Sequence, residues 1–197
     1  MTPTTGFTTD WFSANIPSWQ QWLSGLAGRP GLRALEVGSW EGRSATWLLE
    51  HVLTDPSSHL TCIDLWQTGN VLERFAANMA PWLEAGRLTM VRDSSYAALP
   101  RLEHGAFDIV YVDASHTSHS VLEDAVLAWR LLKPGGIMIF DDYLGGNTAS
   151  ADESVHQGVV AFCHCYGSFL SVIGSGYQLA IRKRSEVVTM SPSSVGA

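Results

Sequence analysis

The stretch of this chain best suited to chemistry is Ala34-Leu35-Glu36-Val37-Gly38-Ser39-Trp40-Glu41-Gly42-Arg43-Ser44, where an apolar run meets a carboxylate, two spaced glycines and a hydroxyl. Gly38 lets the backbone turn sharply and leaves room for a ligand against the main chain, while Gly42 lets a following helix pack close to the strand. Glu36 is an anionic acceptor for an ammonium or hydroxyl group. The G-x-G-x-x-G loop of dinucleotide sites instead leaves its backbone amides free for a pyrophosphate. The spacing here, E-x-G-x-x-x-G-x-S, suits a cofactor without phosphate, with Trp40 and Ser44 inside the same loop. Asp64, Asp93, Asp113, Asp141 and Asp142 also fall at the ends of apolar runs. Strands of one open α/β sheet would therefore deliver six carboxylates to a single crevice.

The elements that must position these groups follow from periodicity. Strands are expected near Arg33–Gly38, His59–Leu65, Leu88–Arg92, Phe107–Asp113 and Gly136–Asp142, with helices near Arg43–Leu53, Val71–Leu83, Tyr96–Leu102 and Thr117–Leu132 between them. Such alternation implies a parallel sheet covered on both faces. After Asp142 comes a Gly/Asn/Ser-rich loop, then a helix from Asp152 to about Cys165. Phe169–Ile173, the turn Gly174-Ser175-Gly176, and Tyr177–Arg182 read as an antiparallel hairpin. Residues 1–31 form an N-terminal segment whose Trp11, Phe12, Ile16, Trp19, Trp22 and Leu23 recur at partly helical spacing, as in an amphipathic helix laid over the sheet or the site. Residues 32–184 form the α/β domain, and 185–197 a polar tail.

Composition narrows the function. A chain of 197 residues with 46% hydrophobic and 16% charged side chains reads as one globular domain, and no apolar run reaches the roughly 20 residues of a spanning helix. Twelve basic against nineteen acidic side chains, a net charge of −7, argue against a nucleic-acid partner and for small-molecule chemistry. Three cysteines, Cys62, Cys163 and Cys165, in or near apolar runs argue against a disulfide framework and fit a reducing cytoplasm. Met1–Thr9 has neither the basic start nor the apolar core of a signal peptide. Homodimers are common at this size, and no interface is legible.

Six segments in register now carry a resemblance: Glu36 to Ser44, Cys62-Ile63-Asp64-Leu65-Trp66, Arg92-Asp93-Ser94-Ser95, Asp108 to His116, Leu132-Lys133-Pro134-Gly135-Gly136, and Ile139-Phe140-Asp141-Asp142-Tyr143. Together, over roughly Leu32 to Lys183, they resemble the class I S-adenosylmethionine-dependent methyltransferases. Within these they look most like the small metal-dependent O-methyltransferases of the catechol and caffeoyl-CoA type. The resemblance implies a Rossmann-like, doubly wound, mostly parallel seven-stranded sheet closed by the hairpin. It also implies methyl transfer to a hydroxyl of a small molecule such as an aromatic, a sugar or a secondary metabolite.

Roles for the residues follow from that likeness. Glu36, Gly38, Trp40, Gly42 and Ser44 would hold S-adenosylmethionine. Asp64 would take its ribose hydroxyls or cap a helix, and Trp66 would lie against the adenine or ribose or simply pack in the core. Asp93 and Ser94 would meet the adenine edge or cap the next helix. Asp113, Asp141 and Asp142 end adjacent strands and would share a divalent cation, Mg²⁺ first; otherwise Asp113 binds the cofactor's ammonium and Asp142 caps a loop. His116, three residues after Asp113, stands where the catechol type has lysine, and is the candidate base, with His119 as substitute or helper. A metal-independent enzyme relying on one of these histidines, or a non-catalytic binder of the cofactor, are the alternatives.

Overall fold

In a computed structural model, described for residues 6–145 and 154–184, the chain forms one seven-stranded sheet in the order β3-β2-β1-β4-β5-β7-β6. The strands are β1 (Arg33–Val37), β2 (His59–Asp64), β3 (Leu88–Arg92), β4 (Phe107–Val112), β5 (Leu132–Phe140), β6 (Leu170–Ser175) and β7 (Leu179–Lys183). β1 to β5 pair in parallel, and β7 runs antiparallel between β5 and β6. The helices are α1 (Ile16–Leu23), α2 (Arg43–His51), α3 (Val71–Glu84), the single turn α4 (Ser95–Ala98), α5 (Ser118–Leu131) and α6 (Val155–Tyr166).

Both faces of the sheet are buried, as parallel strands require. Successive residues of each strand alternate between two cores. Ala34, Ile109, Tyr111, Ile137 and Ile139 pack under α1, α2 and α3 with Trp19, Trp47 and Phe75. Leu35, Val37, Val110, Val112, Met138 and Phe140 pack under α5 and α6 with Trp129 and Phe162. Because the chain leaves β1 toward β2 on one side and later enters β4 on the other, the carboxyl ends of β1 and β4 flank the switch point where open α/β sheets bind ligands.

Several boundaries differ from expectation for identifiable reasons. β5 begins at Leu132, four residues before the expected Gly136, because Leu132 already pairs with Phe107. A register irregularity then lets the strand pass Pro134, which has no N–H to give the ladder. Pro100 likewise limits the segment after Ser94 to one α turn followed by a 3₁₀ turn at Leu99–Arg101. Gly174 belongs to β6 rather than to the hairpin turn: a Cβ there would lie 2.0 Å from the Trp22 indole nitrogen, so glycine admits α1 against the sheet edge. The N-terminal segment is a 3₁₀ turn at Ser13–Asn15 leading into α1, with Phe12, Trp19 and Leu23 buried and Trp11 65% exposed. The three cysteines are unpaired. Among the described residues no helix is long and apolar enough to cross a membrane. The expected start of α6 at Asp152, the Gly146-Asn147 part of the preceding loop and the 185–197 tail lie outside the described residues.

Candidate active site

A cavity of about 680 Å³ opens over the carboxyl ends of β1, β2, β4 and β5. Its floor starts at Gly38. With φ of +86° this residue needs the conformational freedom of glycine, and a Cβ would lie 2.0 Å from the Asp113 carbonyl oxygen, so the ends of β1 and β4 close up only over a bare α-carbon. Gly42 caps α2 in a left-handed conformation, where a Cβ would press on Phe75 and Met79, and it stands behind the cavity wall rather than on it.

Asp64 shapes the loop above this floor. Its Oδ2 accepts hydrogen bonds from the Ser39 and Trp40 amides at 2.9 Å each, and its Oδ1 accepts from the Trp66 amide at 2.7 Å. It does not cap a helix, since α3 begins only at Val71 behind Asn70. Trp40 (φ +46°) and Trp66 (φ +43°) hold left-handed conformations that non-glycine residues rarely adopt, and such strain gathers at ligand sites. The Trp66 indole donates to the Trp40 carbonyl at 2.9 Å and packs on Phe75, so this ring serves core and cavity wall together. Asp93 and Ser94 also reach the wall; Asp93 accepts from the Ser94 amide and pairs with Arg101, while Ser94 caps α4 without a side-chain bond.

Glu36 lies elsewhere than expected. It sits in mid-sheet between Cys62 and Tyr111, wholly buried and off the cavity wall. Ser44 Oγ donates to its Oε1, and Cys62 Sγ to its Oε2 at 3.3 Å. From there it anchors Ser44, which does line the cavity. Burial pushes the Glu36 carboxyl up to about 7, against the pull of the Ser44 and Cys62 hydrogen bonds.

At the other end of the cavity the acids converge. Asp113 follows β4, and Asp141 and Asp142 follow β5. Tyr111 Oη donates to Asp113 Oδ2 at 2.9 Å. Gln178 Nε2 donates to Asp141, and the same amide's oxygen accepts from Trp19 Nε1 at 2.6 Å, so the tryptophan fixes which end of the amide faces the acid. Burial holds Asp113 well above the ordinary carboxylate range, with the neighbouring Asp141 charge adding to the effect. Asp141 is raised to about 6 by burial, against the Gln178 hydrogen bond. Asp142, with φ of +53°, has partners of its own: Tyr177 Oη donates to its Oδ1, and His116 Nε2 stands 3.1 Å from its Oδ2. The bond to His116 lowers the Asp142 carboxyl and raises the imidazole. One oxygen each of Asp113 and Asp142 and a ring nitrogen of His116 lie within 4.8 Å of one another. His119, in the first turn of α5, is off the wall.

Other wall residues carried no role in the sequence reading. Glu41 is buried, accepts from the Thr8 amide and hydroxyl at 2.6 Å each, and faces Arg74 at 3.6 Å. Arg43 stacks on Phe7 and donates to the Thr9 carbonyl at 3.0 Å. These contacts strap residues 6–12 across the mouth, where Phe7, Thr9, Trp11 and Phe12 join the lining. Gln178 and Tyr177 were detectable in principle: a strand antiparallel to β5 must enter the sheet beside the end of β5. The wall carries six carboxylates, Glu41, Asp64, Asp93, Asp113, Asp141 and Asp142. Among the described residues one arginine, already engaged, is its sole Lys or Arg.

A methyltransferase-domain family model matches residues 35–143, more than half of the chain. A protein of Mycolicibacterium vanbaalenii assigned to the O-methyltransferases is 33% identical over 130 residues, covering 64% of this chain and 54% of its own. O-methyltransferase ankF of Aspergillus thermomutatus is 26% identical over 134 residues, 68% of this chain and 50% of its own. The chain thus spans little more than half the length of these curated relatives. Among solved structures, an O-methyltransferase of Bacillus cereus in complex with SAH superposes with a TM-score of 0.66 at 17% identity, over 90% of this chain and 84% of that one. The O-methyltransferase TomG of Streptomyces achromogenes, in complex with SAM, gives 0.65 at 20% identity, over 86% and 80%. By motif order, sheet topology and these matches, the chain belongs to the methyltransferase-domain family and has the fold of the class I S-adenosylmethionine-dependent methyltransferases.

Proposed function

We propose that this protein transfers a methyl group from S-adenosylmethionine to a hydroxyl of a small molecule, with a divalent cation at the acidic end of the cavity. The carrying observation is the charge of the wall: six carboxylates around about 680 Å³ attract a sulfonium and an ammonium, and would repel a pyrophosphate. The relatives' names, and the SAH and SAM complexes of the two superposed structures, support the same cofactor.

When bound, the cofactor supplies an electrophilic methyl on sulfur and the cation lowers the pKa of an acceptor hydroxyl. The chain's own groups do the rest. Gly38 leaves the backbone open to the cofactor, and Asp64, already holding three loop amides, presents its remaining acceptor capacity to the ribose hydroxyls. Asp113 and Asp142 offer oxygens for the cation, beside Asp141, whose carboxyl is held by Gln178 and Asp113. The strap narrows the mouth, and Trp11, Trp40 and Phe7 give a flat apolar acceptor a surface. Holding the acceptor oxygen in line with the methyl group lowers the barrier by removing much of its entropic cost. A proton made more acidic by the cation needs only a weak acceptor, which solvent at the open rim supplies.

The 3.1 Å contact of His116 with Asp142 favours a second reading, in which the pair acts as a base without any cation. Mass-spectrometric detection of methylated products from a panel of phenols, sugars and flavonoids tests the activity. Loss of turnover in excess chelator supports the cation, whereas full turnover there together with inactivity of His116→Ala supports the histidine base. No methylated product from any acceptor class would remove the transferase reading.

A further inference from the structure

From the position of His116 we infer that this site takes its cation through one imidazole nitrogen and two carboxylates, and so selects a borderline first-row transition ion such as Co²⁺ or Zn²⁺ over Mg²⁺. This rests on the cation reading above. Among the described residues, Asp113, His116 and Asp142 alone bring three such donor atoms within 4.8 Å. Donors around a six-coordinate ion with bonds of about 2.1 Å sit roughly 3 to 4 Å apart, so small side-chain adjustments close the set. The 3.1 Å between His116 Nε2 and Asp142 Oδ2 already matches one edge of such a shell.

The acid next in sequence to Asp142 is engaged by protein partners, Asp113 among them. Asp141 is tied to Gln178, whose amide is in turn set by the buried Trp19 indole, and it lies outside the three-donor group. His116 has the opposite character: its side chain is 66% exposed, in the connection between β4 and α5, free to turn its ring toward an ion at little packing cost. Carboxylate and water oxygens suit Mg²⁺. An imidazole nitrogen shifts preference toward Co²⁺, Ni²⁺ and Zn²⁺, whose affinity for nitrogen donors rises along the transition series.

Calorimetric titration of the tag-free, metal-stripped protein with CoCl₂, ZnCl₂ and MgCl₂ separately, alongside pulsed EPR of the Mn²⁺-loaded protein, tests this without reference to turnover. The expected result is Co²⁺ and Zn²⁺ bound at least about tenfold tighter than Mg²⁺, with a nitrogen coupling in the Mn²⁺ spectrum. His116→Asp, which keeps a ligand but replaces nitrogen by oxygen, should abolish the coupling and shrink the preference. Mg²⁺ binding as tightly as Co²⁺, or a nitrogen coupling unchanged in His116→Asp, overturns the inference while leaving a cation-dependent enzyme standing. Failure of every ion to bind overturns the inference and the cation reading together.

Discussion

Replacing Glu36 with glutamine should make the protein more stable at alkaline pH, although it alters the sheet's most deeply buried carboxyl. The folded chain holds the Glu36 proton up to about pH 7, whereas the unfolded chain releases it near 4.5. Between those values the folded state binds more protons, so stability falls as pH rises: the favourable contribution is complete below 4.5 and gone above about 7. At about 1.4 kcal/mol for each pH unit, that interval amounts to about 3 kcal/mol. Glutamine stays neutral throughout. Its carbonyl can keep the Ser44 proton, and its amide can donate toward Ser39 Oγ, which already interacts with the Glu36 carboxyl, and toward Cys62 Sγ. Urea denaturation of both proteins from pH 5 to 8.5 reads the effect. The variant should gain on the wild type by about 3 kcal/mol across the range, a relative midpoint shift of roughly 1 M. Asp124 and Asp141, raised to about 6, add to the wild-type slope but largely cancel in the comparison. A stability difference that stays constant from pH 5 to 8.5 would refute the assignment of a buried, proton-holding Glu36.

Other perturbations follow from contacts already described. Gly38→Ala forces a Cβ against the Asp113 carbonyl at a left-handed φ, and should cost about 3 kcal/mol or more by thermal denaturation and abolish binding of S-adenosylhomocysteine in calorimetry. Trp19→Phe keeps the ring packed on Phe12 and Tyr111 but strands the Gln178 oxygen, for a loss of about 1–3 kcal/mol in urea melts; an unchanged midpoint would count against that network. Glu41→Ala frees Thr8, so amide exchange over residues 6–12 should accelerate while β1 and β4 stay protected.

Much of this architecture was legible because parallel strands announce themselves as apolar runs that all end on one side. β1, β2, β3 and β4 lie within a residue of their expected bounds, and Asp64, Asp93, Asp113, Asp141 and Asp142 reach one cavity for that reason. What periodicity could not supply was register. Glu36 belongs to the same apolar run, yet whether it meets a ligand depends on Cys62 and Tyr111 standing beside it in the neighbouring strands. Gln178 and Tyr177 come from more than thirty residues beyond Asp142, and enter the site only through the antiparallel pairing of β7 with β5. The Glu41–Thr8 strap is a contact between loops, which follows no repeating pattern at all. His119 shows the converse: it satisfies a spacing rule, but α5 starts at Ser118 and carries it off the cavity wall.

The claim under all of this is that an acid-walled cavity at the β1–β4 switch point receives S-adenosylmethionine. Calorimetric titration of the wild type and of Asp64→Asn with that cofactor, and with a nicotinamide dinucleotide as control, tests it most directly. The structure predicts saturable one-site binding of S-adenosylmethionine, marked weakening in Asp64→Asn and no binding of the dinucleotide. Binding of the dinucleotide alone, or of S-adenosylmethionine with equal affinity in both proteins, would contradict it.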